Sequence, residues 1–444
     1  MAQFLPNIFF AVCLIVAATL FVTNAKKIIR NIQLGTKITR WDRPKERWTT
    51  MARVALGQSK MTVRPVAGFL HILVYVGFLL INIEVVEILI DGLFGTHRVL
   101  SFLGGFYNFL IGFFEVLAFL VMVSCIIFFI RRNVVHIKRL FMGELNGWPK
   151  LDANLILVME VAFMLALLTM NGADSVLQDR NAPHFIKAGG FPISSWLTKP
   201  FLAEIQTETL LVIERVTWWF HILGIFFFAN YLYYSKHLHI ILAFPNTWFS
   251  KLESKGEFNN LESVTNEVKM MMDPNADPFA AAPVGEVSDA PSTFGAKDVF
   301  DLNQVQLLNA YTCTECGRCT SECPANITGK KLSPRKIMMS TRDRLEDVSK
   351  ILDENKNQWI DDGKTLVKDY ITAEELWACT SCNACTQACP VNIDPLSIII
   401  DLRRFLVMEE SAAPQELNLM MANVENNGAP WQFNTADRLN WAND

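Results

Sequence analysis

Three features of this 444-residue chain predict an all-α fold in two parts, a five-helix membrane bundle followed by a compact helical domain outside the bilayer. Five long apolar runs fall before residue 245. Each is long enough to cross a hydrocarbon core of ~30 Å as a helix, which takes about 20 residues. The word C-x2-C-x2-C-x3-C-P occurs twice in the last third, at Cys313, Cys316, Cys319, Cys323-Pro324 and at Cys379, Cys382, Cys385, Cys389-Pro390. Between Cys323 and Cys379 lie 55 residues that include the helix-start pattern Ser333-Pro334-Arg335 and a charged stretch from Thr341 to Asn355, which reads as helix rather than hairpin.

The apolar runs cover about residues 4–24, 65–90, 102–130, 152–173 and 209–243, and hydrophobic residues make up 51% of the chain. The first run has no basic residue before it and carries its positive charges after it, so it reads as a retained helix rather than a signal peptide. The segment Lys26 to Arg64 holds eleven Lys and Arg and the segment Arg131 to Lys150 holds five, whereas the connection around His97 has only Arg98. The fourth connection, Asp174 to Glu208, mixes three basic with four acidic residues. The positive-inside rule therefore places the first and third connections in the cytoplasm of an inner-membrane protein, with the N-terminus outside and the cysteine-rich half inside. A net charge of -4 with balanced acids and bases gives no reason to expect nucleic acid. No G-x-G-x-x-G or G-x-x-x-x-G-K-[ST] is present, which argues against nucleotide chemistry.

The cysteine word is the spacing in which three thiolates wrap one [4Fe-4S] cubane and the fourth reaches the other cluster. On that rule cluster 1 takes Cys313, Cys316, Cys319 and Cys389, and cluster 2 takes Cys379, Cys382, Cys385 and Cys323. Zinc sites need four ligands, usually from two separated C-x2-C pairs, and fit four cysteines in eleven residues poorly. A disulfide framework is disfavoured in a reducing cytoplasm. Cys13 and Cys125, inside apolar runs, read as small hydrophobes.

His71 lies six residues beyond Pro65 on the second run, and His239 six residues before Pro245 on the fifth. At ~1.5 Å per residue both sit about 9 Å from the cytoplasmic face, and two imidazoles at matching depth are what bis-histidine haem b ligation requires. His221 and His239, 18 residues or five helical turns apart on the fifth run, share one face, whereas His237 points elsewhere. At the depth of His221 the second helix offers Ile81, Asn82 and Glu84. His221 is thus either a ligand of a second haem, completed by a loop residue such as His97 or His184, or a quinone or backbone contact. Glu115 and Glu160 lie at membrane depth and suit a proton relay, as do Glu84, Glu214 and Arg215, although pairing within the bundle explains any of them equally.

Phe69-Leu70-His71-Ile72, together with His221, His239 and Ile240, resembles the five-helix cytochrome b subunit of respiratory nitrate reductase over about residues 1–245. That family carries two haems and a quinone site. Ile81 stands where the family has its second histidine on the second helix, which puts the outer haem in doubt. The remainder is similar to the two-cluster ferredoxin subunit of heterodisulfide reductase and to lactate and glycolate oxidase iron-sulfur subunits. The tail Glu425-Asn426-Asn427-Gly428-Ala429-Pro430-Trp431, followed by Arg438 and Trp441, looks like the segment that joins the ferredoxin to cysteine-rich CCG domains in longer relatives. The resemblance implies a separate redox subunit bearing such a domain.

These readings give a five-transmembrane-helix cytochrome b bundle at 1–250, a linker at 251–300, a cytoplasmic α-helical 2[4Fe-4S] ferredoxin domain at 301–410 and a partner-docking tail at 411–444. The expected function is electron transfer between the quinone pool, haem b, the two clusters and a cytoplasmic partner. A redox sensor and a haem-free ferredoxin anchor are the rival readings.

Overall fold

The structure is a computed structural model that describes residues 5–254, 256–273, 293–432 and 434–442. Helices dominate and the described residues contain no strand, only isolated bridges at Thr36–Asn303 and Val367–Ile371. The first half comprises α1 (Leu5–Gln33), α2 (Pro44–Met51), α3 (Pro65–Phe94), α4 (Gly105–Asn133), α5 (Trp148–Asp179), α6 (Thr207–Tyr231) and α7 (His239–Trp248). Five of these elements, α1, α3, α4, α5 and α6 with its extension to Tyr234, are long and apolar enough to cross a membrane.

Phe10, Ile81, Ile88, Ile111, Phe114, Phe163, Leu167, Trp218 and Ile222 pack into the bundle core. Ile8, Val12, Phe69, Phe109 and Val216 point outward and are exposed, as lipid-facing residues would be. At Gly224 a Cβ would run into the Phe163 ring, so glycine lets α5 and α6 approach closely there.

The fifth run is not one helix. After α6, short 3-10 turns at Leu232–Tyr234 and Lys236–Leu238 flank Ser235, whose backbone is extended, and α7 resumes at His239. Asp152 of α5 stabilises the break by accepting from the Tyr231 hydroxyl at 2.6 Å and the Lys236 amide at 3.1 Å. This corrects the continuous-helix argument that set His221 and His239 on one face and turned His237 away.

The second half comprises α8 (Glu262–Met272), α9 (Gln304–Thr312), α10 (Pro334–Glu354), α11 (Pro395–Met408) and α12 (Gln415–Asn427), with short helical turns at Arg318–Ser321, Pro324–Ile327, Ala373–Trp377 and Ala384–Ala388. Asn303 closes a capping box on α9, and the Ser333 side chain caps α10 with Pro334 in its first turn. The core joins Leu307, Ile337, Leu345, Ile398 and Leu402 to Ile28 of α1 and Leu238 of the break, so the domain is built around the end of the bundle.

The expected linker at 251–300 is too long. Helix α8 lies inside it, residues 274–292 fall outside the described residues, and the compact domain begins before 301. Ala296 and Val299 are core residues, and Asp298 pairs with the fully buried Arg344 at 2.7 Å. Apolar residues spaced among the polar ones carry this segment into the fold. In the tail, Arg438 donates to the Gly428 carbonyl at 2.6 Å and closes the chain back on α12.

The two halves meet through the basic connections. Lys60 donates to the carbonyl of Cys389, Arg64 pairs with Glu322, and Glu144 accepts from Arg335. The connections after α1 and α4 therefore lie at the same end of the bundle as the cysteine loops.

Candidate cluster and histidine sites

Cys313 directly ends α9, Cys316 lies in the following loop and Cys319 in the turn Arg318–Ser321. Cys389 follows the turn Ala384–Ala388. These four thiols line one cavity together with Gly317, Met338, Pro390 and Ile393. Gly317 has a φ of 71° and a Cβ there would meet the Arg335 guanidinium, so glycine suits this turn; Asn383 takes the equivalent left-handed position, φ 59°, in the second word.

The second set is similar but less enclosed. Cys379 lies within electrostatic range of Cys323 and Cys382, and Cys385 within range of Cys379. Backbone amides point at sulfur in both sets, Ile393 to Cys389 at 3.3 Å and Ser381 to Cys379 at 3.4 Å. Burial pushes the Cys313 and Cys385 thiols up to about 12 and Cys389 up to about 11. Free, these sulfurs are neutral thiols, and an iron centre would deprotonate them on binding. The donors fit two cubanes.

Directly beneath the first cysteine set a cavity of about 400 Å³ runs into the bundle. Cys316, Thr314 and Arg318 bound its upper end, His71, His237 and His239 its neck, and Asn82, Glu160, Phe163 and His221 its deep end. The rings of His71 and His239 are 6.4 Å apart between centroids, inclined at 41°. Two imidazoles binding one metal atom from opposite sides, with metal–nitrogen bonds of about 2 Å, have centroids about 6 Å apart. His239 Nδ1 lies 2.9 Å from the Lys236 carbonyl, which leaves its Nε2 available, and His71 Nδ1 is buried without a partner. A ligating histidine held through its other nitrogen by a carbonyl is the usual arrangement. The residues present fit a haem in this neck.

His237 stands beside them, its ring 5.7 Å from that of His239 and its Nδ1 buried without a partner. The sequence reading missed it because the break at Ser235 rotates it into the cavity; the one hint was the polar pair Ser235-Lys236 inside an apolar run. His221 is held by the Phe163 carbonyl, 3.0 Å from Nδ1. Neither proposed loop partner reaches it. His97 packs on Phe185 and lies 3.6 Å from Asp174 at a different cavity, and His184 is exposed. Glu160 lines the histidine cavity, but Glu115 does not. Glu115 is instead closed in, accepting from the Ile193 and Ser194 amides at 2.8 and 3.1 Å and from the Ser194 hydroxyl at 2.5 Å. That corrects its pairing with Glu160 as a relay, because its lone pairs are used to cap the turn at Ser194.

Residues 312–393 match the 4Fe-4S dicluster domain family. The dicluster half is also similar, at 28% identity over 27% of this chain and 60% of the relative, to one of the subunits of a CoB-CoM heterodisulfide reductase from Methanosarcina acetivorans. Over 96% of its length this chain is 30% identical to the probable iron-sulfur-binding oxidoreductase FadF of Bacillus subtilis, covering 59% of that protein. It is 25% identical over 88% of its length to an EtfAB:quinone oxidoreductase of Syntrophomonas wolfei, covering 53% of it. The chain thus spans between half and three-fifths of these two longer relatives. No solved structure matches it. The dicluster domain and five membrane-length helices make this an iron-sulfur membrane protein.

Proposed function

We propose that the chain is a membrane-bound electron-transfer subunit that passes electrons between the quinone pool and a cytoplasmic redox partner by way of one haem b and two [4Fe-4S] clusters. The observation that carries this reading is the cavity bounded at once by His71, His239 and Cys316. The haem and the cubanes, when bound, each take up and release single electrons. His71 and His239 would hold the haem. Cys313, Cys316, Cys319 and Cys389 would hold the first cluster, and Cys379, Cys382, Cys385 and Cys323 the second.

The deep end of the cavity suits a quinone headgroup. His221, fixed through Nδ1, presents its other nitrogen, Asn82, which donates to the Phe78 carbonyl, has one amide N–H left to offer, and Glu160 can take or give a proton there. His221 then has no haem. The name of the Syntrophomonas relative, a quinone oxidoreductase, supports the quinone assignment. The basic connections beside the clusters support a cytoplasmic position for the dicluster domain in an inner membrane. A CCG-domain iron-sulfur protein is the partner proposed for the tail after residue 411, and the domains divide at about 250, 293 and 410.

The test is a dithionite-reduced minus oxidised spectrum of the purified chain with a haem count and iron analysis. One b-type haem and about eight non-haem irons are expected; no haem would favour the anchor or sensor readings. His71→Ala and His239→Ala should each abolish the haem and leave the clusters, while His237→Ala retains it. Full haem retention in both of the first two variants would sink the ligand assignment.

A further inference from the structure

A second cavity, about 430 Å³, opens at the end of the bundle opposite the clusters. Its wall holds Glu84, Glu87 and Asp91 of α3, Asp174 of α5, Glu214 and Arg215 of α6, and His97 and Arg98 of the connecting loop. Nearly all of these groups are tied. Glu87 accepts from the Tyr107 hydroxyl and the Leu100 amide, both at 2.8 Å. Asp91 accepts from the Arg98 amide at 2.7 Å, Asp174 pairs with Arg98 at 2.6 Å, and Glu214 pairs with its neighbour Arg215.

Glu84 is the exception. It is 5% exposed, lines this cavity and has no hydrogen bond or ion pair among the described residues, although the charge of Arg98 in the same cavity acts on it. A carboxyl buried at membrane depth is costly to leave unpartnered and is a functional group by default.

Its position adds a second argument. Asn82 and Val85 on α3 and His221 on α6 face the deep end of the histidine cavity, whereas Glu84, Ile88 and Trp218 face the second one. Ile81 of the inner cavity and Glu84 of the outer one share a face of α3, as His221 and Trp218 share a face of α6, and each pair is about 4.5 Å apart along its helix axis, so less than one turn separates the two cavities. Glu84 stands at that partition.

We propose that Glu84 is the proton station joining the quinone end of the inner cavity to the face of the membrane opposite the clusters. The proposal rests on the quinone reading above. When a hydroquinone is oxidised to the quinone it gives up two electrons, which leave toward His71, His239 and the clusters, and two protons. Each proton in turn converts the Glu84 carboxylate to the acid and then passes into the outer cavity, past Glu214 and His97, to the opposite face. In quinone reduction the same path runs backward. Electrons and protons then part in opposite directions, and turnover moves charge across the membrane.

The test uses the full chain, with haem and clusters, reconstituted in vesicles that enclose a pH dye. A soluble quinol analogue is the donor and external ferricyanide, which cannot cross the bilayer, takes electrons only from molecules whose clusters face outward. The wild-type protein should acidify the lumen during quinol oxidation. Glu84→Gln should slow lumenal acidification by at least about tenfold, with haem and cluster spectra unchanged, and Glu84→Asp should recover part of the rate. Lumenal acidification by Glu84→Gln at the wild-type rate, or protons appearing only outside in the wild type, would overturn the assignment while leaving the quinone reading intact. Failure of the wild type to oxidise quinol at all would overturn both.

Discussion

The two copies of the cysteine word have the same spacing and nearly the same local turns, yet they sit in different surroundings. The first set lies against the membrane half. Lys60 and Arg139, both from the basic connections, donate at 3.1 Å to the carbonyls of Cys389 and Cys316, and the buried Arg318 donates to the Lys60 carbonyl. Among the described residues the second set has one comparable cation, Arg403, which binds the Cys379 carbonyl and stacks on Trp377, and its Cys382 is exposed. Spacing decides which thiols can share a cluster. The neighbours decide what that cluster does, because potential follows nearby charge, hydrogen bonds and exposure. On the proposed function, the difference would make the first set the membrane-facing electron station and the second the one that meets a partner.

The sharpest way to break that comparison is to remove one thiol from each set. Cys389→Ser should lose the first cluster, and the second should no longer be reduced by a quinol analogue. Cys382→Ser, at an exposed corner, should leave the haem and a quinol-reducible first cluster. Iron content and electron paramagnetic resonance after quinol addition read both results, and identical losses in the two variants would erase the distinction. A smaller effect is expected from the cations. Removing a positive charge disfavours the reduced, more negative cluster, so Lys60→Met or Arg139→Met should lower the midpoint potential of the first cluster by on the order of 50–100 mV and leave the second alone. Arg403→Met should do the reverse. Potentiometric titration of the two signals separates them, and an equal shift in both clusters would show that the cations act on the domain as a whole.

The same contrast marks how far sequence reasoning reached. Five apolar runs and the Pro334 helix start were legible because length and capping are local properties, and the structure has a helix at each, the fifth broken at Ser235. The depth match of His71 and His239 was legible because both were counted from prolines near the same surface, and the two rings do meet. His237 was not, because its direction depends on a break that Asp152, 83 residues before Ser235, stabilises from another helix. Glu115 and Glu84 are both glutamates inside apolar runs. Only packing shows that Ser194 consumes the first and that the second has no hydrogen bond among the described residues. The entry of residues 293–300 into the core was hidden for a similar reason, since Asp298 reads as linker until Arg344 is seen beside it.

The smallest effect concerns the seam between the halves rather than either cluster. Burial works against ionisation of Glu144, but the hydrogen bond and charge of Arg335, helped by the Ser333 hydroxyl, outweigh it and hold this carboxyl below its usual range. A carboxylate depressed in the folded state stabilises the fold above its unfolded pKa, about 4.3, and loses that contribution as pH falls through the folded value. Glu144→Gln should therefore cost about 1–2 kcal/mol at pH 7, the scale of a hydrogen bond between charged groups. Below about pH 4 the melting temperatures of the variant and the wild type should converge. A gap that persists unchanged into acid would mean that Glu144 acts through packing, and that the fully buried Arg335 is held instead by the carbonyls of Arg139 and Glu315.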